Sequence, residues 1–318
     1  MNRVVCYHLI FLMFLQFSPS LIFAQEVSTK KYIDYKVSYD RMKNFPELYD
    51  KFIRSHREAQ KYHYTVKHFR EQLDIFMKVV KADPEWVDAY WLVGSLAFQL
   101  GSSYTKEEDI SKARKLFVIG KNHGERCLDM APDSDLCKMV LASNIGKIGT
   151  IDGLLVSLKY AKRVEDLWTD VLNSPYNFQF THEVSMQGAV RYGLGMFYRL
   201  IPDFFLMDWI WDVRGDIKKS VRLHRESLHI DNAELPCSYV MLSVALICSV
   251  DGDANTTESL EAKKLLTTAS RFKPLHPNQV ICHRDTFRLL QDPSKAFGYT
   301  LVGKLEAIDE SEVKGKLN

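Results

Sequence analysis

The stretch that decides the fold runs from Asp83 to Gly101 and reads DPEWVDAYWLVGSLAFQLG. Proline is favourable at a helix start because the first turn does not need the N–H that proline lacks. After Pro84, small and apolar residues recur at three- and four-residue spacing, the period of one helix face; they are Ala89, Tyr90, Val93, Gly94, Ala97 and Gly101. The stretch predicts a helix from Val87 to Gly101, which residues 83–86 open and which ends at glycine because glycine accepts the left-handed turn at a helix end.

The same pattern returns after Pro132, where residues 135–149 read DLCKMVLASNIGKIG and end at Gly149. Small residues at Gly94 and Ala142 would let a partner helix approach closely. Residues 110–131 and 260–272 carry apolar stripes of the kind that the second helix of a hairpin presents. Each such hairpin has an apolar face that it cannot bury alone, so hairpins stack. We therefore predict an all-α fold, an irregular tetratricopeptide-like array of helical hairpins.

Residues 1–24 have the pattern of a secretory signal peptide. Arg3 supplies positive charge, residues 9–17 (LIFLMFLQF) form an apolar run, and Ala24 precedes the expected cleavage site. The alternative is an uncleaved membrane anchor, although the run is shorter than the ~20 residues of a spanning helix. Residues 239–250 (YVMLSVALICSV) are also too few to span and predict a buried core helix. We expect an exported chain, periplasmic or secreted, whose residues 25–318 form a single helical domain without a membrane span.

Five cysteines follow the predicted cleavage site: Cys127, Cys137, Cys237, Cys248 and Cys282. An odd number excludes complete pairing within one chain, and no Cys-x-x-Cys occurs. Each cysteine lies in or beside a helical apolar pattern, where a thiol serves as a small buried hydrophobe. We expect buried thiols. The alternative is a Cys127–Cys137 bridge, because the repeat geometry would bring these positions close.

Charge and motif content argue against several functions. The chain has 42 Lys+Arg and 40 Asp+Glu without a long block of one sign, so a nucleic-acid surface is not expected. His182-Glu183 begins like a zinc-protease motif, but Met186 stands where a second histidine is required. His224 and the other helical histidines are interpreted as surface or hydrogen-bonded structural residues. We expect no catalytic residues, no metal ligands and no cofactor.

One segment has the composition of a binding surface. Residues 204–211 read FFLMDWIW, and aromatic residues and methionine are enriched at partner surfaces and in apolar pockets. We predict that this segment, together with Tyr198, binds an apolar small ligand or a protein partner; the residues are Tyr198, Phe204, Phe205, Trp209 and Trp211. The alternative is core packing under a long loop.

Three segments resemble the T-component of TRAP transporters, a family of exported tetratricopeptide-like proteins. They are residues 113–128 (ARKLFVIGKNHGERCL), residues 192–202 (YGLGMFYRLIP) with the following Arg214-Gly215-Asp216, and the helix from Ala262 to Ala269. The resemblance extends over about residues 65–300. It departs from the family pattern at Arg214, which replaces the first of two glycines, and at the inserted Trp209-Ile210-Trp211.

This resemblance implies a protein that associates with a periplasmic solute-binding protein and contains an apolar pore or cleft. The leading hypothesis is a noncatalytic periplasmic adaptor or binding protein that serves TRAP-type solute uptake. Two alternatives stay open: an envelope scaffold unrelated to transport, and a helical hydrolase or lyase with a site between helices. A homo-oligomer is compatible with each of them.

Overall fold

A computed structural model describes residues 31–104, 106–232, 234–300 and 303–304. In this part of the chain, α-helices carry the fold and the four strands have two residues each. The helices are α1 (Pro46–Tyr62), α2 (Val66–Ala82), α3 (Val87–Ser102), α4 (Ile110–Met130), α5 (Asp135–Asp152), α6 (Leu154–Asn173), α7 (Met186–Leu200), α8 (Phe205–Trp211), α9 (Ile217–Asp231), α10 (Pro236–Ser249), α11 (Thr257–Ala269) and α12 (Pro277–Gln291). The predicted signal peptide and its boundary at residue 24 lie outside the described residues.

Helices that follow each other in sequence pack as neighbours, which confirms the predicted all-α array of helical hairpins. From α1 to α7 each helix packs against the next; α9 packs on α7, α10 on α9, and α11 and α12 on α10. Strand β1 (Ile33–Asp34) pairs in parallel with β2 (Tyr176–Asn177), which fastens the chain before α1 to the loop after α6. Strands β3 (Tyr299–Thr300) and β4 (Gly303–Lys304) form a short antiparallel pair after α12.

The two prolines that mark the repeat lie in turns, three residues before the helices that they were predicted to open. Asp83 to Trp86 form a four-residue turn closed by the Trp86 N–H and the Asp83 carbonyl at 3.3 Å. Ala131 to Ser134 close in the same way at 3.0 Å. Proline suits the second position of such a turn because its fixed φ matches that position. The repeated proline therefore sets the reversal between two helices.

Small residues bring α3, α4 and α5 close together, as the sequence predicts. A Cβ added to Gly94 would lie 2.2 Å from Val140 Cγ1 of α5, and Ala142 is fully buried. The prediction that Gly101 and Gly149 end their helices in a left-handed turn is wrong. Both lie inside α3 and α5, where Gly101 makes room for the Phe117 ring. The left-handed residue is Gly153, with φ of 93°, between α5 and α6.

The expectation of buried thiols is wrong for four of the five cysteines. Cys127 and Cys137 form a disulfide across the α4–α5 turn, where their Cα atoms lie 5.4 Å apart. A second disulfide joins Cys237 at the start of α10 to Cys282 of α12, at a Cα separation of 4.9 Å. Local hairpin geometry suffices to place the first pair. The second pair depends on the tertiary packing of α12 on α10, which the spacing of the cysteines does not reveal.

The apolar side chains form one large core among α1–α7 and a second around α10. Helix α10 carries ten buried residues, which confirms the core helix predicted over residues 239–250. Ala262, Leu266 and Ala269 on α11 are buried, as the hairpin pattern predicts. Within the described ranges, no helix is long and apolar enough to cross a membrane.

Candidate functional site

The aromatic segment predicted to bind a partner forms α8, a seven-residue helix between α7 and α9. Phe205 and Trp209 lie one helical turn apart on one face and are 70% and 73% exposed. Phe204 and Trp211 instead pack against a small core beneath α8, which includes Met207. The structure thus separates two exposed aromatic rings from two that contribute to packing.

Tyr198, the fifth predicted residue, is buried on α7 and faces a polar pocket beside α8. Its hydroxyl donates to the Glu165 carboxylate and accepts a hydrogen bond from Lys219 Nζ at 2.5 Å. Burial, followed by the neighbouring Glu165 carboxylate, raises the pKa of the Tyr198 hydroxyl. Asp203, Asp208, Asp212 and Asp216 lie in the same pocket wall. The tyrosine is therefore part of a hydrogen-bonded polar cluster, and the binding role of the five residues stays a prediction.

A larger site lies inside the helical array, in a cavity of about 450 Å³ that we call the aromatic cavity. Nine helices contribute described residues to its wall: α1, α2, α3, α5, α6, α7, α9, α10 and α12. Loop residues also contribute, before α1, between α1 and α2, after α3, after α6 and around residues 235 and 276. The volume falls within the roughly 300–1,000 Å³ of small-molecule sites. Among the described residues, fourteen Phe, Tyr and Trp side chains contribute to the wall: Tyr39, Phe52, Tyr64, Phe69, Phe76, Trp91, Phe98, Tyr104, Tyr160, Trp168, Phe178, Phe180, Tyr192 and Phe197.

Sequence periodicity did not reveal this cavity, because a helix face that lines a cavity has the same apolar spacing as one that packs in a core. Small residues at the inner positions were the available signal. Ser95 of α3, Ser143 of α5 and Ala189 of α7 line the cavity. Glycines accommodate Trp168: a Cβ added to Gly193 would lie 2.9 Å from its indole ring. Wide rings and small residues together leave the interior space unfilled.

Two of the described residues that line the aromatic cavity carry a full charge. The ammonium of Lys147, on α5, lies 5.8 Å from the centre of the Phe98 ring. Burial alone lowers the pKa of Lys147 to about 8, with no contribution from a neighbouring carboxylate. The second is Asp231 at the end of α9, whose carboxylate accepts hydrogen bonds from the Ser185 N–H at 3.0 Å and hydroxyl at 2.7 Å. Burial raises the pKa of Asp231 to about 6, and the hydrogen bonds from Ser185 oppose that rise.

Two histidines among the described residues add further polar groups to a wall that is mostly apolar. His56 Nδ1 is hydrogen-bonded to the Tyr64 hydroxyl at 2.8 Å. Burial is the largest cause that lowers the pKa of both His56 and His276, and it favours the neutral form of each ring. A neutral imidazole is compatible with an apolar ligand in the cavity, because a charged ring would have to be buried without a compensating charge.

No group of three or more His, Cys, Asp and Glu side chains in the described ranges is placed to hold a metal ion. The arrangement can enclose an apolar molecule between aromatic faces and offer it a small number of polar contacts.

Comparison with known proteins does not assign a family: no protein-family model matches this chain, and no curated protein is significantly similar to it.

Proposed function

We propose that this protein is an exported, noncatalytic binding protein that holds an apolar small molecule in the aromatic cavity. The observation that carries the proposal is the cavity itself, a space of about 450 Å³ inside the array with fourteen aromatic side chains in its wall. Ligand sites have this form because broad apolar contact supplies affinity and a few polar groups fix orientation. Two disulfides support export, since disulfides persist mainly in oxidising compartments.

The proposal includes an adaptor role in TRAP-type solute uptake, with a periplasmic solute-binding protein as partner. Support comes from the family resemblance and from the exposed rings of Phe205 and Trp209. Large exposed aromatic side chains on one helix face are typical of surfaces that bind another protein. An envelope scaffold unrelated to transport is the alternative, and the partner that binds α8 distinguishes the two.

Binding of an uncharged fluorescent probe tests the cavity. N-phenyl-1-naphthylamine fluoresces in apolar surroundings, and we expect the wild-type chain to bind it with one saturable site. Ser95→Phe places a ring into the cavity from α3 and should abolish that binding. Ser111→Phe is the matched control, because Ser111 is an exposed helical serine on α4 outside the cavity wall. Probe binding that survives Ser95→Phe would locate the probe elsewhere and refute the proposed site.

Affinity purification from the native envelope fraction tests the adaptor role. We expect the wild-type chain to recover a solute-binding protein, and Trp209→Ala to lose it. Trp211→Ala serves as the comparison, because Trp211 packs inward on the same short helix. Recovery of an unrelated envelope protein would favour the scaffold. Equal loss of the partner with both variants would indicate that the substitutions disrupt the structure of α8 and do not remove a contact with the partner.

A further inference from the structure

Lys147 is the one cationic side chain among the described residues that line the aromatic cavity. It lies in the last third of α5, is partly exposed and lines the cavity. The contact that the structure gives its ammonium is the face of Phe98 at 5.8 Å. At this distance an aromatic face attracts a cation weakly, and it does not neutralise the ammonium as a carboxylate would.

An ammonium in these surroundings is poorly compensated. Burying a charge is unfavourable unless it is paired and hydrogen-bonded, and the lowered pKa of Lys147 reflects that cost. Asp231, the other charged residue of the described wall, accepts hydrogen bonds from Ser185 and not from Lys147. Among the described residues, no carboxylate is paired with the Lys147 ammonium, so the carboxylate of a bound ligand would supply a counter-charge that these residues do not.

We propose that Lys147 binds the carboxylate of an amphipathic monocarboxylic acid whose hydrocarbon chain occupies the aromatic cavity. The inference rests on the proposed function, since it specifies the chemical class of the molecule held there. The aromatic wall accounts for the hydrocarbon part, and the charge of Lys147 accounts for the head group.

A single negative charge fits the site better than a double one. Lys147 supplies one positive charge, so a carboxylate is neutralised, whereas a phosphate monoester with about two charges would bring an uncompensated one into the cavity. A lysine also suits a monoanion because its ammonium acts as a point charge with rotatable donors.

The cavity volume guides the choice of chain length. A volume of about 450 Å³ lies in the lower half of the roughly 300–1,000 Å³ range of small-molecule sites, which suits a hydrocarbon chain of medium length. Dodecanoate, with a twelve-carbon chain, is therefore the probe of choice, and methyl dodecanoate has nearly the same shape without the charge.

The test measures dissociation constants for dodecanoate and methyl dodecanoate below their aggregation limits. Direct calorimetry and displacement of N-phenyl-1-naphthylamine give independent values. We expect wild type to prefer the carboxylate by about tenfold or more, the range of a charge-assisted hydrogen bond. Lys147→Met should remove this preference by weakening dodecanoate alone, while the uncharged probe still binds. The matched control is Lys159→Met, because Lys159 is exposed on α6 outside the cavity wall.

The outcomes separate the two proposals. If wild type binds both compounds equally, or if Lys147→Met keeps the preference, the carboxylate assignment is overturned while the uncharged probe still reports on the cavity. If neither the uncharged probe nor dodecanoate binds, both proposals fail. Unfolding does not confuse the result, because Lys147→Met removes a desolvated charge and should raise the melting temperature.

Discussion

His224 makes the stability of this protein sensitive to acid in a way that can be measured. Its ring on α9 is 1% exposed and packs over Gly195 of α7, and neither ring nitrogen has a hydrogen-bond partner among the described residues. Burial, followed by the charge of Arg199, lowers the pKa of His224 from 6.5 to about 3. The folded protein therefore keeps the ring neutral at pH values where the unfolded chain binds a proton.

The sign and size of the effect follow from this difference. A histidine with a lowered pKa in the folded state stabilises the protein fully above pH 6.5, and this contribution is lost as the pH falls towards 3. Between pH 7 and pH 5 the unfolded chain gains about 0.7 of a proton at this site while the folded chain gains almost none, which lowers the free energy of unfolding by about 2 kcal/mol. Asp231 has the opposite effect, because burial raises its pKa to about 6 and the folded protein binds a proton there before the unfolded chain does. From pH 7 to pH 5 this raises the free energy of unfolding by about 1 kcal/mol.

The assay is urea denaturation of the wild-type chain and of His224→Phe at pH 7, 6 and 5. Phenylalanine keeps a planar ring over Gly195 and does not titrate. The contribution of Asp231 is common to both proteins and cancels in their difference. We expect that difference to move by about 2 kcal/mol in favour of the variant from pH 7 to pH 5. A difference that stays constant with pH would mean that the folded protein protonates His224 and that the ring is not desolvated.

Two further predictions concern the packing of the array. Replacing both cysteines of the Cys237–Cys282 disulfide with alanine should lower the free energy of unfolding by about 4 kcal/mol, because that bridge closes a separation of 45 residues. The Cys127–Cys137 disulfide closes a separation of 10 residues, and its removal should lower the free energy of unfolding by about 3 kcal/mol. A larger loss for Cys127–Cys137 than for Cys237–Cys282 would contradict the chain-entropy argument. Gly94→Ala should destabilise the protein by about 1–3 kcal/mol, since its Cβ would lie 2.2 Å from Val140 Cγ1. Adding Val140→Ala should recover part of that loss, and Gly146→Ala, with an ordinary 3.4 Å contact, should cost less than Gly94→Ala in the same urea titration.

The sequence by itself determined the helical architecture, because helix periodicity and close-approach positions are local properties. The predicted helix over residues 87–101 corresponds to α3, and the pattern over 135–149 corresponds to most of α5. Gly94 could be assigned to a helix contact because the equivalent position of the second hairpin also has a small residue, Ala142. A small side chain at that position lets the neighbouring helix approach closely. The predicted helix ends were less accurate, because the sequence does not distinguish a glycine within a helix from a glycine at its end.

Only the tertiary structure decided where the interior space lies and which polar groups face it. Trp168 and Lys147 occur in ordinary helical patterns, and their placement on one cavity wall depends on how nine helices pack around it. The same holds for His224, interpreted from sequence as a surface or hydrogen-bonded residue but buried without a partner among the described residues. The physical reason is that periodicity tells which face of a helix is turned inward, whereas the distance between inward faces depends on side chains from distant parts of the chain.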